Sequence, residues 1–272
     1  MLGTLLKHEF KNTWMVMTLT CAVTIFLGIV GGLFFRIVAS PELIEKDFSV
    51  IFITLGVSGI IILLTSLNMI ATIYLVVHYY KNLYTSQGYL TFTLPATITE
   101  VVSSRMIVAC IWSLAFSLSM GLCILFGTLI IGTLPDLDEL REVLLEIYKQ
   151  LLYDPESVNI IWGIIEFTVT IILGNISKLL TYFFCISIGQ LWSKHKILGA
   201  VLCYFGTSFV LGIISTSISF GRMFLYPDSY SDIDSYGLLT HSMSKGIIYS
   251  IVTIIIFWVA SVVTANKRLN LD

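Results

Sequence analysis

The sequence predicts an all-α integral membrane protein with six transmembrane helices. The chain of 272 residues is 57% hydrophobic and 12% charged, and its mean hydropathy is +0.93, whereas an ordinary soluble domain is about 25% charged. Most of it falls into apolar segments of the roughly 20 residues that a helix needs to cross a bilayer. Because no stretch remains for a separate soluble domain, we predict a single transmembrane domain over residues 1–272.

Six apolar segments are the predicted spans. The first is followed directly by Arg36 and a polar loop, and no small-residue cleavage pattern closes it, so we expect a retained helix and not a cleaved signal peptide. An even number of spans places both termini on one side of the membrane. The spans cover about residues 15–35, 50–77, 101–133, 159–190, 197–218 and 246–265.

The basic residues indicate which side that is. Eight Lys and Arg residues flank the spans on the side of the termini, and six lie on the other side. The positive-inside rule assigns the richer side to the cytoplasm, and it has most force for short, tight clusters such as "WSKHK" and "NKRLN". We therefore predict that the N- and C-termini are cytoplasmic.

The N-terminal segment "MLGTLLKHEFKNTW" has the pattern of an amphipathic helix. Its apolar side chains recur at helical spacing, and its polar ones fall on the opposite face. We predict an interfacial helix over residues 2–14 that lies on the cytoplasmic surface of the bilayer. The alternative is that these residues simply extend the first span. The apolar face consists of Leu2, Leu5, Leu6, Phe10 and Trp14.

Glycines in the first span form a GxxxG pair, Gly28 and Gly32. Without side chains at these two positions, another helix can approach the backbone closely. We interpret the pair as a helix-packing site, and its partner is either another helix of the same chain or a second subunit.

Lys178 is the one basic residue well inside a span. The apolar residues around it outweigh the free-energy cost of one central lysine, so the fourth span still inserts. Glu166 is twelve residues earlier, about 18 Å along the same axis, and cannot be its direct partner. Lys178, with Glu166 and Asn175, is our candidate for a translocation path or a seam between subunits. The alternative is that Lys178 snorkels or that the span is shifted.

The sequence carries no motif for catalysis or metal binding. The four histidines are scattered, the five cysteines lie in apolar runs without CxxC spacing, and no HExxH or GxxxxGK[ST] occurs. We therefore expect no catalytic residue, no metal site and no bound cofactor on this chain. Nucleic acid is not an expected partner.

An aromatic segment, "NLYTSQGYLTFTLP", separates spans two and three on the predicted cytoplasmic side. Pro95 ends any helix before it, and Thr97 with Glu100 forms a capping box that would begin span three. Residues 85–94 are therefore a short element of their own. Its aromatic side chains suit either an interfacial belt or a surface that docks into a partner protein.

The whole chain resembles the ABC-2 type permease subunits of bacterial ABC transporters. The resemblance is carried by the order of amphipathic N-terminus and six spans, and by the blocks "GYLTFTLP" and "IGQLWSKHK". It implies a coupling helix between spans two and three, seated in a cleft of a separate ATP-binding subunit. Many relatives have an acidic residue where this chain has Gln87, which affects a charge contact with the ATPase. The implied coupling residues are Gln87, Gly88, Tyr89, Leu90, Phe92 and Leu94.

The same resemblance implies the function of a permease subunit in an ATP-driven exporter of the bacterial cytoplasmic membrane. Two six-span subunits, identical or different, would form the path within the membrane lipids, and two ATPase subunits would bind ATP and Mg²⁺. Two other classes remain open. One is a non-catalytic membrane protein that serves as a sensor or confers immunity, and the other is an ion-coupled secondary transporter.

Overall fold

The computed structural model describes residues 2–38, 48–85, 97–132, 157–192, 195–225 and 235–268. In these ranges the chain is all-helical, with no strand, and all six helices are long and apolar enough to cross a membrane. The prediction of a multi-pass helical membrane protein is confirmed. The helices are α1 (Leu2–Val38), α2 (Phe48–Tyr84), α3 (Ile98–Gly132), α4 (Ser157–Gly189), α5 (Lys196–Leu225) and α6 (Ser235–Arg268).

The helices are longer than the predicted spans. Helices α1 and α2 have 37 residues each, which corresponds to about 55 Å, whereas the hydrocarbon core of a bilayer is about 30 Å thick. All five prolines of the chain fall in the intervals between helices. Because proline removes a backbone donor and clashes with the preceding turn, these positions separate the helices, while the apolar runs continue without interruption.

Residues 2–14 do not form a helix separate from the first span. They are the first turns of α1, which continues without a break to Val38. The chain has no proline in this region and no glycine between Gly3 and Gly28, so nothing interrupts the backbone hydrogen bonds at the end of the amphipathic pattern. The structure therefore agrees with the alternative in which this segment extends the first span.

The contacts of the chain define two compact units. The first unit consists of Met1–Glu9, Leu75–Cys110 and Gly163–Asp272, and the second of Phe10–Tyr74 and Ile111–Trp162. Four of the helices, α1, α2, α3 and α4, therefore contribute residues to both.

In the second unit, α1 and α3 pack side by side in the same direction. Trp112 donates a hydrogen bond from Nε1 to Thr13 Oγ1 at 2.8 Å, and its ring stacks on Phe10 at 4.7 Å. Further along, a Cβ atom added at Gly28 would lie 2.7 Å from the Cα of Cys123, well inside van der Waals contact. The two backbones thus approach closely where α1 carries a glycine.

In the first unit, α4 packs against both α5 and α6. Ser177 and Thr253 share a hydrogen bond of 2.7 Å between α4 and α6. At the other end of α4, a Cβ atom added at Gly189 would lie 2.6 Å from the backbone nitrogen of Ala200, so the start of α5 turns back tightly on α4. Helix α5 is the least enclosed helix. Only 6% of the residues in its most apolar 18-residue stretch are buried, compared with 33% for α4.

Candidate functional site

The carboxylate of Glu9 binds two basic side chains at once. Its Oε1 accepts a hydrogen bond from Arg105 Nε at 3.0 Å, and its Oε2 lies 3.0 Å from His78 Nε2. The side chains are largely withdrawn from solvent, with Arg105 exposed by 5%, Glu9 by 16% and His78 by 17%. We call these three residues the ion cluster.

The ion cluster joins three helices at one level of the first unit. Glu9 lies seven residues after the start of α1, Arg105 seven residues after the start of α3, and His78 six residues before the end of α2. At the 1.5 Å rise of an α-helix, each position is about 10 Å from its helix end. The charges are therefore buried near the ends of the helices, where pairing with each other replaces hydration.

The ion cluster links three helices through polar contacts. The side-chain nitrogen of Asn82 lies 2.8 Å from His78 Nε2, which adds a further polar contact from the next turn of α2. Among the described residues, no group of three or more His, Cys, Asp or Glu side chains could hold a metal ion. The arrangement can hold three helices in register, and its imidazole and carboxylate can carry a proton.

The last turns of α2 are fixed to α4 by a second set of contacts. The hydroxyls of Tyr79 and Tyr84 lie 3.3 and 3.0 Å from Ser187 Oγ. The ring of Tyr79 stacks on Phe183 at 4.2 Å, and Tyr79 is 2% exposed. A buried tyrosine with a satisfied hydroxyl joins apolar packing to a directional bond, so the end of α2 has a defined position relative to α4.

The first turn of α3 has the predicted capping box. The backbone nitrogen of Thr97 donates to Glu100 Oε2 at 3.2 Å, and the backbone nitrogen of Glu100 donates to Thr97 Oγ1 at 3.3 Å. These reciprocal bonds satisfy two amides that have no partner inside the helix. The prediction that Thr97 and Glu100 begin the third helix is confirmed.

The six predicted coupling residues lie outside the described residues. They belong to residues 86–96, between the end of α2 and the capping box of α3. They are Gln87, Gly88, Tyr89, Leu90, Phe92 and Leu94.

The polar residues predicted for α4 are not brought together. Lys178 is exposed and has no hydrogen-bond or ion-pair partner among the described residues. Asn175 and Glu166 are half-buried, and one carboxylate oxygen of Glu166 is buried without a hydrogen-bond partner in the described part of the chain. Gly28 and Gly32 both lie against α3 of the same chain, next to Cys123 and Gly127.

The sequence patterns did not identify the ion cluster. Glu9 lies within the amphipathic pattern, His78 lies near the end of an apolar run, and Arg105 is one of the eight basic residues that flank the spans on the side of the termini. The available signal was that each side chain is ionisable and lies within two helical turns of a span end, where a charge needs a partner. Their pairing joins residues 69 and 96 positions apart, so no local spacing reveals it.

No protein-family model, no curated protein and no solved structure matches this chain.

Proposed function

We propose that the chain is the membrane-spanning permease subunit of an ATP-driven exporter in a bacterial cytoplasmic membrane. It would form half of a translocation path and work with a separate subunit that binds ATP and Mg²⁺. The sequence resemblance suggests this function, and the six apolar helices agree with it. Residues 2–14 would extend α1 beyond the bilayer on the cytoplasmic side, because α1 is longer than the hydrocarbon core and its Lys7 and Lys11 are exposed.

The observation that carries the proposal is the fixation of both helix ends that flank residues 86–96. Tyr84, at the end of α2, is hydrogen-bonded to Ser187 of α4. Helix α3 begins with the Thr97 and Glu100 capping box, and two turns later Arg105 binds Glu9 of α1. A segment that receives a mechanical signal from an ATPase needs such rigid attachments, since motion at a loose attachment would not reach the spans.

The decisive test places a charge in the aromatic segment. Tyr89→Asp and Phe92→Asp are each expected to weaken binding of the ATPase subunit about 30-fold, the effect of losing a hot-spot contact of about 2 kcal/mol. The measurement is the amount of ATPase that co-purifies with the tagged chain from native membranes. Thr85→Asp, which adds the same charge before the first predicted coupling residue, Gln87, is the matched control and is expected to retain the ATPase. Normal co-purification with both aromatic variants would show that the segment is only an interfacial belt.

The proposed orientation has its own test. Single cysteines at Asp138 and Asp232, in a chain whose five native cysteines are replaced, are expected to react with an impermeant maleimide in intact cells. A cysteine at Thr85 is expected to react only after the membrane is opened. Labelling of Thr85 alone in intact cells would reverse the orientation and remove the coupling role of residues 86–96.

A proton-coupled transporter is the second candidate, and the ion cluster favours it. A carboxylate 3.0 Å from an imidazole inside a helical membrane protein is the type of pair found in proton relays. In reconstituted vesicles, this candidate predicts transport driven by a proton gradient without nucleotide, whereas the permease predicts transport only with the ATPase and ATP.

A further inference from the structure

Lys178 lies in the central part of α4, one of the six helices that are long and apolar enough to cross a membrane. Helix α4 runs from Ser157 to Gly189, so Lys178 is about 31 Å from its start and about 16 Å from its end. The four-carbon stem of lysine is shorter than either distance, and in a helix it points toward the N-terminal end, which is the farther one here. Snorkelling therefore does not bring its ammonium group to either end of α4.

The face of α4 that carries Lys178 is packed at one end and open at the other. Toward the end of α4, this face contacts α5, with the rings of Tyr182 and Tyr204 5.1 Å apart and Cys185 Sγ 3.8 Å from Thr207 Oγ1. Toward the start of α4, the same stripe is exposed. The exposed members, at helical spacing, are Ile164, Phe167, Ile171 and Lys178.

Helix α5 also changes from packed to exposed along its length. Up to Thr207 it contacts α4, but residues 212–217 are all exposed. A Cβ atom added at Gly174, one turn before Lys178, would meet nothing within 4 Å. The exposed stripe of α4 and residues 212–217 of α5 together form what we call the open face, with Lys178 at its inner end.

Lys178 needs an anionic partner at its depth, and a bilayer lipid does not supply one. Anionic headgroups lie at the membrane surface, about 15 Å from the midplane, and acyl chains occupy the depth of Lys178. A carboxylate on a transmembrane helix is the anion that can be held at this depth, and such groups pair with basic side chains inside helical bundles. The apolar side chains around Lys178 suit the rest of a helix surface, and Gly174 permits its close approach.

None of the acidic residues that the structure describes supplies this anion from a second copy of the chain. In a dimer whose twofold axis runs along the membrane normal, residues that meet across the interface lie at equal depth, so a second copy would need an acidic side chain at the level of Lys178. The acidic side chains in the described residues are Glu9, Glu100 and Glu166. Glu166, on the same helix, is about 18 Å from the level of Lys178, and Glu9 and Glu100 lie in the first turns of α1 and α3.

We infer that the open face receives a transmembrane helix from a non-identical subunit, and that this helix carries a carboxylate at the depth of Lys178. The inference rests on the proposed function in one respect, the identification of that subunit as the second permease half. The presence of a partner helix with a carboxylate is inferred from the position of Lys178 beside an exposed helix face.

The test is site-specific crosslinking in native membranes with the full-length chain. A photoreactive benzoylphenylalanine at Ile171 is expected to form an adduct with a different membrane protein, in an apolar peptide that contains Asp or Glu. Lys178→Met is expected to lower the adduct yield about tenfold, as for loss of an interhelical polar contact, whereas Lys178→Arg retains it. The same photoprobe at Leu19, an exposed position of α1, is the control and does not form this adduct.

Charge exchange decides between specific pairing and mere proximity. Lys178→Asp is expected to abolish the adduct, and replacing the mapped carboxylate of the partner with Lys is expected to restore it. Five results would overturn the inference. Three concern the adduct itself: it forms with a second copy of the chain, it forms with lipid only, or it does not form. The other two are a mapped helix that contains no carboxylate and an adduct yield that Lys178→Met does not change. Measuring the co-purified ATPase in the same samples separates the two proposals, since adduct without ATPase would contradict only the permease function.

Discussion

Glu9→Gln is expected to be the most destabilising single substitution in the first turns of α1. The variant keeps the size of the side chain and removes the charge that Arg105 and His78 bind at 3.0 Å. Because the Arg105 side chain is only 5% exposed, water cannot replace the lost carboxylate. Removal of one member of a buried ion pair costs about 3 to 5 kcal/mol, and we expect a loss of this size in the free energy of unfolding, measured in mixed detergent micelles.

Two comparisons make this expectation specific. Lys7→Gln, which removes an exposed charge two residues earlier on α1, is expected to change the free energy of unfolding by less than about 0.5 kcal/mol. The double variant Glu9→Leu with Arg105→Met is expected to lose less stability than the sum of its single variants, because it removes both charges from the buried site. A strictly additive result, or a Glu9→Gln variant as stable as the native chain, would mean that the ion cluster does not hold the helices together.

Gly28→Ala is expected to separate α1 from α3. The added Cβ atom would lie 2.7 and 2.8 Å from the Cα and carbonyl carbon of Cys123, and backbone atoms cannot move aside as a flexible side chain can. Overpacking of this kind costs about 1 to 3 kcal/mol. We expect a loss of that size in the free energy of unfolding, together with a weaker Trp112 to Thr13 contact, which can be followed by tryptophan fluorescence.

Gly121 provides the matched control for this substitution. It lies in α3 in the same unit, and a Cβ atom added there would meet nothing within 4 Å. Gly121→Ala is expected to be neutral or slightly stabilising, since alanine favours a helix more than glycine does. Equal effects of the two substitutions would show that helix propensity, and not the close approach of α1 and α3, determines the result.

The spans could be predicted from the sequence because their signal is local. Each apolar run is long enough to identify itself, and each predicted span falls on one helix, extending past it by at most one residue. The helix ends were harder, since helical hydrogen bonding continues into polar turns as long as no proline or glycine stops it. This is why α1 begins at Leu2 when the change in composition suggested a boundary near residue 14.

The candidate site was only partly accessible from the sequence. The capping box of Thr97 and Glu100 was predictable because its two residues are three positions apart. Lys178 could be placed inside a span, but the direction it faces depends on which side of α4 packs against α5, and hydropathy does not contain that information. The ion cluster depends on three helices meeting at one level, which is a property of tertiary packing.

The ion cluster has a consequence for the order of events during biosynthesis. Arg105 follows Glu9 by 96 residues, so at a synthesis rate of about 5 to 20 residues per second the ribosome adds it roughly 5 to 20 seconds later. During that interval Arg105 has not yet been synthesised, but α1 already contains the carboxylate of its partner Glu9. Its position near the start of the helix lets headgroup water solvate the charge until α3 is inserted. The same carboxylate at the centre of α1 would oppose insertion of the first helix before any later one could compensate.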